Sequence, residues 1–170
     1  MTDLFNTGFI DWIATTLGIR IRDSDRTLIW QRILTRVKVL GLPSAEAYHR
    51  FLAIKSQSIA WEAEWRELVN LLTVTESYFF RDQGQFGLLR HRIVAELIQR
   101  QRQACESTPY HRPQLRVWSA GCSTGEEAYS LAILLKELIP DNSAWDIRVL
   151  GTDVNGAALE RAKRGLYNDW

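Results

Sequence analysis

The sequence is poor in the residues that build covalent or metal-centred frameworks. Its 170 residues hold two cysteines, Cys105 and Cys122, and three histidines, His49, His91 and His111. Two cysteines make no disulfide framework, and neither they nor the scattered histidines have metal-ligand spacing, so no metal is expected. No stretch approaches the roughly 18 consecutive apolar residues of a membrane span, and no membrane insertion is expected. The N-terminal MTDLFNTGFIDWIATTLG carries acids instead of a basic region before an apolar core, so it is not a secretory signal. The chain therefore reads as cytoplasmic. A large charge of one sign is also missing. The 21 Lys and Arg and 20 Asp and Glu leave a net charge of +1, which argues against wholesale nucleic-acid binding. Internal repeats, low-complexity tracts and the GxxxxGK[ST] cradle of a nucleotide triphosphatase are absent as well.

What is present is ordinary for a globular chain: 46% hydrophobic and 24% charged residues, enough for one core or one small domain plus part of another. The charge is unevenly placed. Residues 1–70 are net +1, residues 71–116 net +3 and residues 117–170 net −3.

Helical spacing dominates the first third. Phe5, Phe9, Ile13 and Leu17 recur at steps of four, with Asp3 placed to cap the start and Gly18 to end it. A second helix follows Ser24-Asp25, with Leu28, Ile29, Ile33, Leu34, Val37 and Leu40 as its apolar set, closed by Gly41-Leu42-Pro43. Ser44 can cap a third, with Tyr48, Phe51 and Leu52 inward. Trp61, Trp65, Leu68, Val69 and Leu72 form the stripe of a fourth. Residues 1–72 thus read as an all-helical domain.

Residues 73–114 read as a connecting segment and a long helix. The aromatic run Tyr78-Phe79-Phe80 fits neither helical nor strand periodicity, a helix is expected from about Gly84 to Gln103, and Glu106 to Pro113 is a linker by composition. From 115 to 170 the period changes. A strand, Leu115 to Ser119, precedes the tight loop Gly121-Cys122-Ser123-Thr124-Gly125. A helix over Glu126 to Ile139 leads to a second strand, Asp146 to Asp153, and to a last helix capped by Asn155 and stopped by Gly165. This pattern predicts a parallel pair with a right-handed crossover. Two strands alone lack partners and cover on both faces, so the chain reads as an N-terminal piece of a longer protein. The fold class expected is α/β with an all-α N-terminal domain: a helical bundle followed by a partial class I, Rossmann-like sheet.

The glycine loop and Asp153 carry the chemistry. In open α/β sheets ligands bind at the carboxyl ends of strands, and an acid ending the second strand is placed for ribose hydroxyls. Either feature alone also has a plain structural reading, a tight turn or a helix cap. Together they imply an adenosine-containing cofactor, and S-adenosyl-L-methionine fits without requiring phosphate contacts. Glu126 and Glu127 open the following helix, where acids gain about 0.3–1 kcal/mol each from the helix dipole or where one of them faces a cationic ligand. Arg81, after the three aromatics, is either a surface residue or the cation of a cleft between the domains, walled by those aromatics and able to hold a carboxylate.

Three stretches, LTVTESYFFRD (Leu72 to Asp82), RVWSAGCSTGEEAYSLAILL (Arg116 to Leu135) and VLGTDVNGAALERAKRGLY (Val149 to Tyr167), resemble in order and spacing the motifs of CheR-type protein-glutamate O-methyltransferases. Those enzymes methylate glutamates on bacterial chemoreceptors with S-adenosyl-L-methionine, leaving S-adenosyl-L-homocysteine. The helical start, with Thr27 to Arg32 and the Gly41 turn, is similar to the family's N-terminal domain. The resemblance implies that Thr75, Ser77 and Arg81 contact the cofactor from the domain junction. It also places Ala120 and Gly121 along the methionine part, Glu127 at the loop helix and Asp153 on the ribose. Thr75 stands where the family usually has Asn. Arg81 is the implied catalytic residue, aligning donor and acceptor. The acceptor carboxylate is already ionised and attacks the methyl without a strong base, a cysteine nucleophile or a metal. Arg32 and Arg36, four residues apart on the second helix, are the implied contacts to the cytoplasmic domain of a methyl-accepting chemoreceptor; a solvated helix face is the alternative. The family's later strands, its adenine-side contacts and its small antiparallel receptor-docking subdomain would follow Trp170, so the 170-residue chain alone is expected to bind cofactor weakly and to be inactive. Two other readings stay open: a receptor- or partner-binding module with a vestigial methyltransferase half, and a class I methyltransferase for another substrate.

Overall fold

A computed structural model of the chain describes residues 2–54, 58–106 and 112–168. They form two compact units, 1–74 and 75–170. The Asp3 side chain and most of the 106–113 linker lie outside the described residues.

The first unit is four helices: α1 (Thr2–Leu17), α2 (Arg26–Val39), α3 (Ala45–Ala53) and α4 (Ile59–Leu72). Each break follows from a local signal. Gly18 and Gly41 take positive φ after α1 and α2, and the amides of Ile19 and Leu42 reach back to the carbonyls of Ala14 and Val37. Ser44 and Ser58 cap α3 and α4 through their hydroxyls. Phe9, Ile13, Ile33, Tyr48, Leu52 and Leu68 fill the core. Each such residue contributes about 1.5–3 kcal/mol by leaving water. The α2 stripe is narrower than its spacing suggests. Ile29, Ile33 and Val37 are buried, whereas Leu28, Leu34 and Leu40 are exposed. Trp61, Trp65 and Val69 on α4 are only half-buried.

Arg36 also departs from expectation. It does not stand free on a partner-facing surface but turns inward, pairing with Glu64 through Nε–Oε1 at 2.9 Å and Nη2–Oε2 at 2.5 Å. Tyr48 donates to the same Oε1 at 2.5 Å. Arg32, half-buried, donates through Nη1 to the Leu71 carbonyl.

In the second unit, the helix expected over 84–103 comes in three parts: α5 (Gln83–Leu88), a π turn (Leu89–Ile93) and α6 (Val94–Glu106). At 100° per residue, a continuous α-helix would leave Phe86 and Val94 roughly 80° apart. The wider turn takes up one residue and brings them to within about 20° of one face. Phe86 then meets Phe80, with ring centroids 5.1 Å apart, while Val94 and Ile98 pack with Leu115, Leu135, Ile139 and Trp145.

Strands β1 (Gln114–Ala120) and β2 (Asp146–Thr152) pair in parallel, joined by α7 (Glu126–Leu138) and followed by α8 (Gly156–Arg164). Leu115, Val117 and Ser119 stand in register with Ile147, Val149 and Gly151 on the face covered by α6 and α7. The other face presents Trp118 and Leu150, 67% and 59% exposed. Tyr129 and Ile133 on α7 are both exposed. Among the described residues, no helix is long and apolar enough to cross a membrane, and no cluster of His, Cys, Asp and Glu could hold a metal ion.

Candidate functional site

The site grows from the loop between β1 and α7. Gly121, Ser123 and Gly125 all have positive φ (78°, 51° and 102°), which doubles the chain back at the strand end. The amides of Gly121 and Cys122 both donate to the Thr152 carbonyl, at 2.8 and 2.9 Å, tying the loop to the end of β2. Asp153 completes the tie: Oδ2 accepts from the Ser123 amide at 2.7 Å and Oδ1 from the Asn155 amide at 2.8 Å. Each oxygen keeps a lone pair for a further donor.

Gly125 is the N-cap position of α7, and only glycine fits it. An added Cβ would lie 2.6 Å from the Tyr167 hydroxyl oxygen and 2.8 Å from the Ala162 Cβ. Tyr167 donates to the Thr124 carbonyl at 2.7 Å and packs edge-on against Phe79 and Tyr129. Burial, with the Glu126 charge next, pushes its phenol up to about 12, so it stays a neutral donor.

The two glutamates opening α7 divide their roles. Glu126 is buried and takes a hydrogen bond from the Thr124 hydroxyl at 2.6 Å. Glu127 is exposed to a cavity of about 560 Å³, its Oε1 fixed by the buried Ser119 hydroxyl at 2.5 Å. Ser77, Tyr78, Arg81, Phe86, Gly121 and Ser123 line that cavity together with Glu127. Arg81 donates through Nη1 to the Glu76 carbonyl at 3.1 Å, and its guanidinium lies 5.5 Å from the Tyr78 ring centre. Every lining residue belongs to the second unit.

Of the seven residues read as cofactor contacts, Ser77, Arg81, Gly121 and Glu127 meet around the cavity. Thr75, Ala120 and Asp153 do not line it. The Thr75 carbonyl accepts from the Ser123 hydroxyl at 2.9 Å, and Asp153 braces the loop through its bonds to the Ser123 and Asn155 amides. The aromatic wall is reduced to Tyr78, since Phe79 is taken up by Tyr167 and Phe80 by Phe86. Sequence reasoning missed Phe86 and Gln85. Their signal was Asp82, whose side chain caps α5 by accepting from the Gln85 amide at 2.9 Å and so aims that first turn at the cavity.

Residues 7–73 match the CheR methyltransferase all-alpha domain, and residues 75–170 match the CheR methyltransferase SAM binding domain. The chain belongs to the CheR methyltransferase family. Among its relatives, the chemotaxis protein methyltransferase of Borreliella burgdorferi is 30% identical over 91% of this chain and 52% of its own length. The probable chemotaxis protein methyltransferase of Rhizobium etli is 31% identical over 92% of this chain and 54% of its own. Chemotaxis protein methyltransferase 2 of Vibrio cholerae is 28% identical over 99% and 54%. The chain thus spans about half the length of the curated relatives it matches.

The cofactor of the CheR SAM binding domain is S-adenosyl-L-methionine. The residues present fit it. Its amino-acid end carries an ammonium and a carboxylate, and Glu127 and Arg81 offer the complementary charges around one cavity. Nothing lies within 4 Å of the space beside the Gly121 Cα, so a ligand can approach that backbone. The volume is within the roughly 300–1,000 Å³ of small-molecule sites.

Cys122 sits under this loop, 2% exposed, with its Sγ 2.9 Å from where a Gly151 Cβ would be. Burial first, then the Asp153 charge, pushes its thiol up. We expect iodoacetamide at neutral pH to label half-buried Cys105 in the folded chain and to leave Cys122 unmodified until denaturant is added, as read by peptide mass spectrometry. Equal labelling of both cysteines in the native chain would contradict this loop packing.

Proposed function

We propose that this chain is the helical domain and cofactor-binding half of a methyltransferase that transfers a methyl group from S-adenosyl-L-methionine to glutamate side chains of chemoreceptor-type proteins in the cytoplasm. The observation that carries the reading is the cavity that sets Glu127 and Arg81 around an open glycine backbone. Glu127, oriented by Ser119, would hold the ammonium of the cofactor. Arg81 would hold its carboxylate and help align the acceptor. Asp153, at the end of β2, would accept from the ribose hydroxyls with the lone pairs its backbone bonds leave. When bound, the cofactor would supply an electrophilic methyl group. The acceptor glutamate is ionised at neutral pH, with a reference pKa of about 4.3, so the site needs alignment more than a base. The relatives' names support a role in chemotaxis. On this reading the chain alone does not turn over receptor fragments, and methylation of them by the isolated chain would refute that part.

Calorimetric titration with S-adenosyl-L-homocysteine tests the site. The chain is expected to bind, and Asp153→Ala and Glu127→Gln each to weaken binding by roughly tenfold or more, as for loss of a charge-assisted hydrogen bond. Full affinity in both variants would remove these residues from the site. No binding by the unaltered chain would show that these residues do not form a working cofactor site in it.

A further inference from the structure

We infer that Ser130 is a positioning residue for Arg81, and that the aromatic segment before Arg81 is held in place by two serine hydroxyls. The inference rests on the cofactor reading of the site.

Segment 75–81 is irregular, with no ladder or helical hydrogen bonds to define its course. It is pinned at both ends to the loop and helix beyond β1. At its start, Ser123 Oγ donates to the Thr75 carbonyl at 2.9 Å. At its end, the Phe80 amide donates to Ser130 Oγ at 3.0 Å. Ser130 is fully buried, and its own proton goes to the Glu126 carbonyl at 2.6 Å. The hydroxyl's donor and acceptor roles are therefore both used, with its direction set by α7. Phe80 is the residue that needs such help. Its φ is 51°, a left-handed conformation uncommon outside glycine and disfavoured for a bulky side chain. That turn sends the following residue, Arg81, back toward Glu76, Tyr78 and the cavity.

The spacing explains why a serine serves here. Ser130 lies one turn beyond Glu126 on α7, so its hydroxyl satisfies the usual back-bond to the i−4 carbonyl and still accepts from a foreign amide. The same helix thus carries Glu127 on its cavity side and fixes Arg81 through its buried side. One rigid element sets both charged groups of the site.

Hydrogen exchange reads the latch without any ligand. In the unaltered chain the Phe80 amide is expected to exchange slowly despite lying outside regular structure; free exchange there overturns the inference. Ser130→Ala should speed exchange at Phe80 by about tenfold while leaving the amides of α1–α4 unchanged. Ser130→Thr, which keeps the hydroxyl, should restore protection and covers the case in which the alanine variant does not fold. Titration with S-adenosyl-L-homocysteine then gives the functional arm. Ser130→Ala should weaken binding by about as much as Arg81→Ala, and the double variant should be no weaker than Arg81→Ala alone. Additive losses would mean that Ser130 does not act through Arg81. If the unaltered chain binds no S-adenosyl-L-homocysteine, the cofactor reading fails, and the exchange at Phe80 still decides the latch.

Discussion

Glu64→Ala should destabilise the first unit by about 3–5 kcal/mol, the cost of removing one partner from a buried ion pair. Glu64 is 3% exposed and sits where three helices meet. It accepts from Arg36 on α2 through both oxygens and from Tyr48 on α3 through one. Its carboxylate raises the basicity of Arg36, and burial together with the Glu64 charge pushes the Tyr48 phenol well above its ordinary value. Both partners therefore remain protonated donors at any physiological pH. Without the carboxylate, a guanidinium only 15% exposed and a fully buried hydroxyl lose their acceptor. A domain's whole stability is about 5–15 kcal/mol, so the loss should be visible as a large drop in denaturation midpoint. Replacing both charges together, as in Arg36→Met with Glu64→Leu, should recover part of it, because the pair's desolvation cost disappears with the pair while the buried Tyr48 hydroxyl still lacks its acceptor. Equal midpoints for Glu64→Ala and the unaltered chain would show that the triad contributes nothing.

This triad changes how a partner-binding experiment must be read. Arg32 and Arg36 stand at helical spacing and could share one surface. Arg36→Ala leaves Glu64 as a buried carboxylate with no counter-charge, so a loss of partner binding in that variant would report unfolding of the helical unit as readily as a lost contact. Arg32 is the cleaner probe, since its bond is to the Leu71 carbonyl at the end of α4 and its removal strands no buried charge. Lys38 and Arg50, both exposed, are suitable controls on the same unit.

Much of the fold was legible because each helix carries its own punctuation. Gly18, Gly41, Ser44 and Asn155 act in the structure as local chemistry demands, and the strand–helix–strand order from 114 to 152 sits in parallel register. What escaped the sequence is what depends on distant partners. The spacing of α2 could not tell Leu34 from Ile33, because the stripe's width is set by which neighbours α1, α3 and α4 present. Nor could the spacing of α4 show that Glu64, a charged residue between Ala63 and Trp65, is buried; that follows only once Tyr48 and Arg36 converge on it. The candidate site divides in the same way. Gly121, Glu127 and Arg81 were readable as residue types at motif positions, whereas the assignment of Glu126 to the interior rests on Thr124.

Gly125→Ala is the second large effect, because the loop's backbone and its packing both forbid a side chain. At φ 102° an alanine costs about 1–2 kcal/mol for its left-handed conformation. Its methyl would also fall 2.6 Å from the Tyr167 hydroxyl, 2.8 Å from the Ala162 Cβ and 3.1 Å from the Ala162 Cα. The tyrosine could swing away, but Ala162 is held in α8, so the helix itself must shift. Overpacking of that kind costs about 1–3 kcal/mol more, which gives roughly 2–5 kcal/mol in all. The damage should be local. Exchange of α7 and α8 amides should quicken, the α1–α4 amides should keep their protection, and S-adenosyl-L-homocysteine should lose its site because Ser123 and Glu127 flank the displaced residue. Gly8→Ala supplies the control of opposite sign. Gly8 lies exposed inside α1 with nothing within 4 Å of an added Cβ, so the same substitution should stabilise by about 0.5–1 kcal/mol. If Gly125→Ala bound S-adenosyl-L-homocysteine at full affinity with unchanged exchange in α7 and α8, the close fit of α8 and Tyr167 over the loop would be wrong.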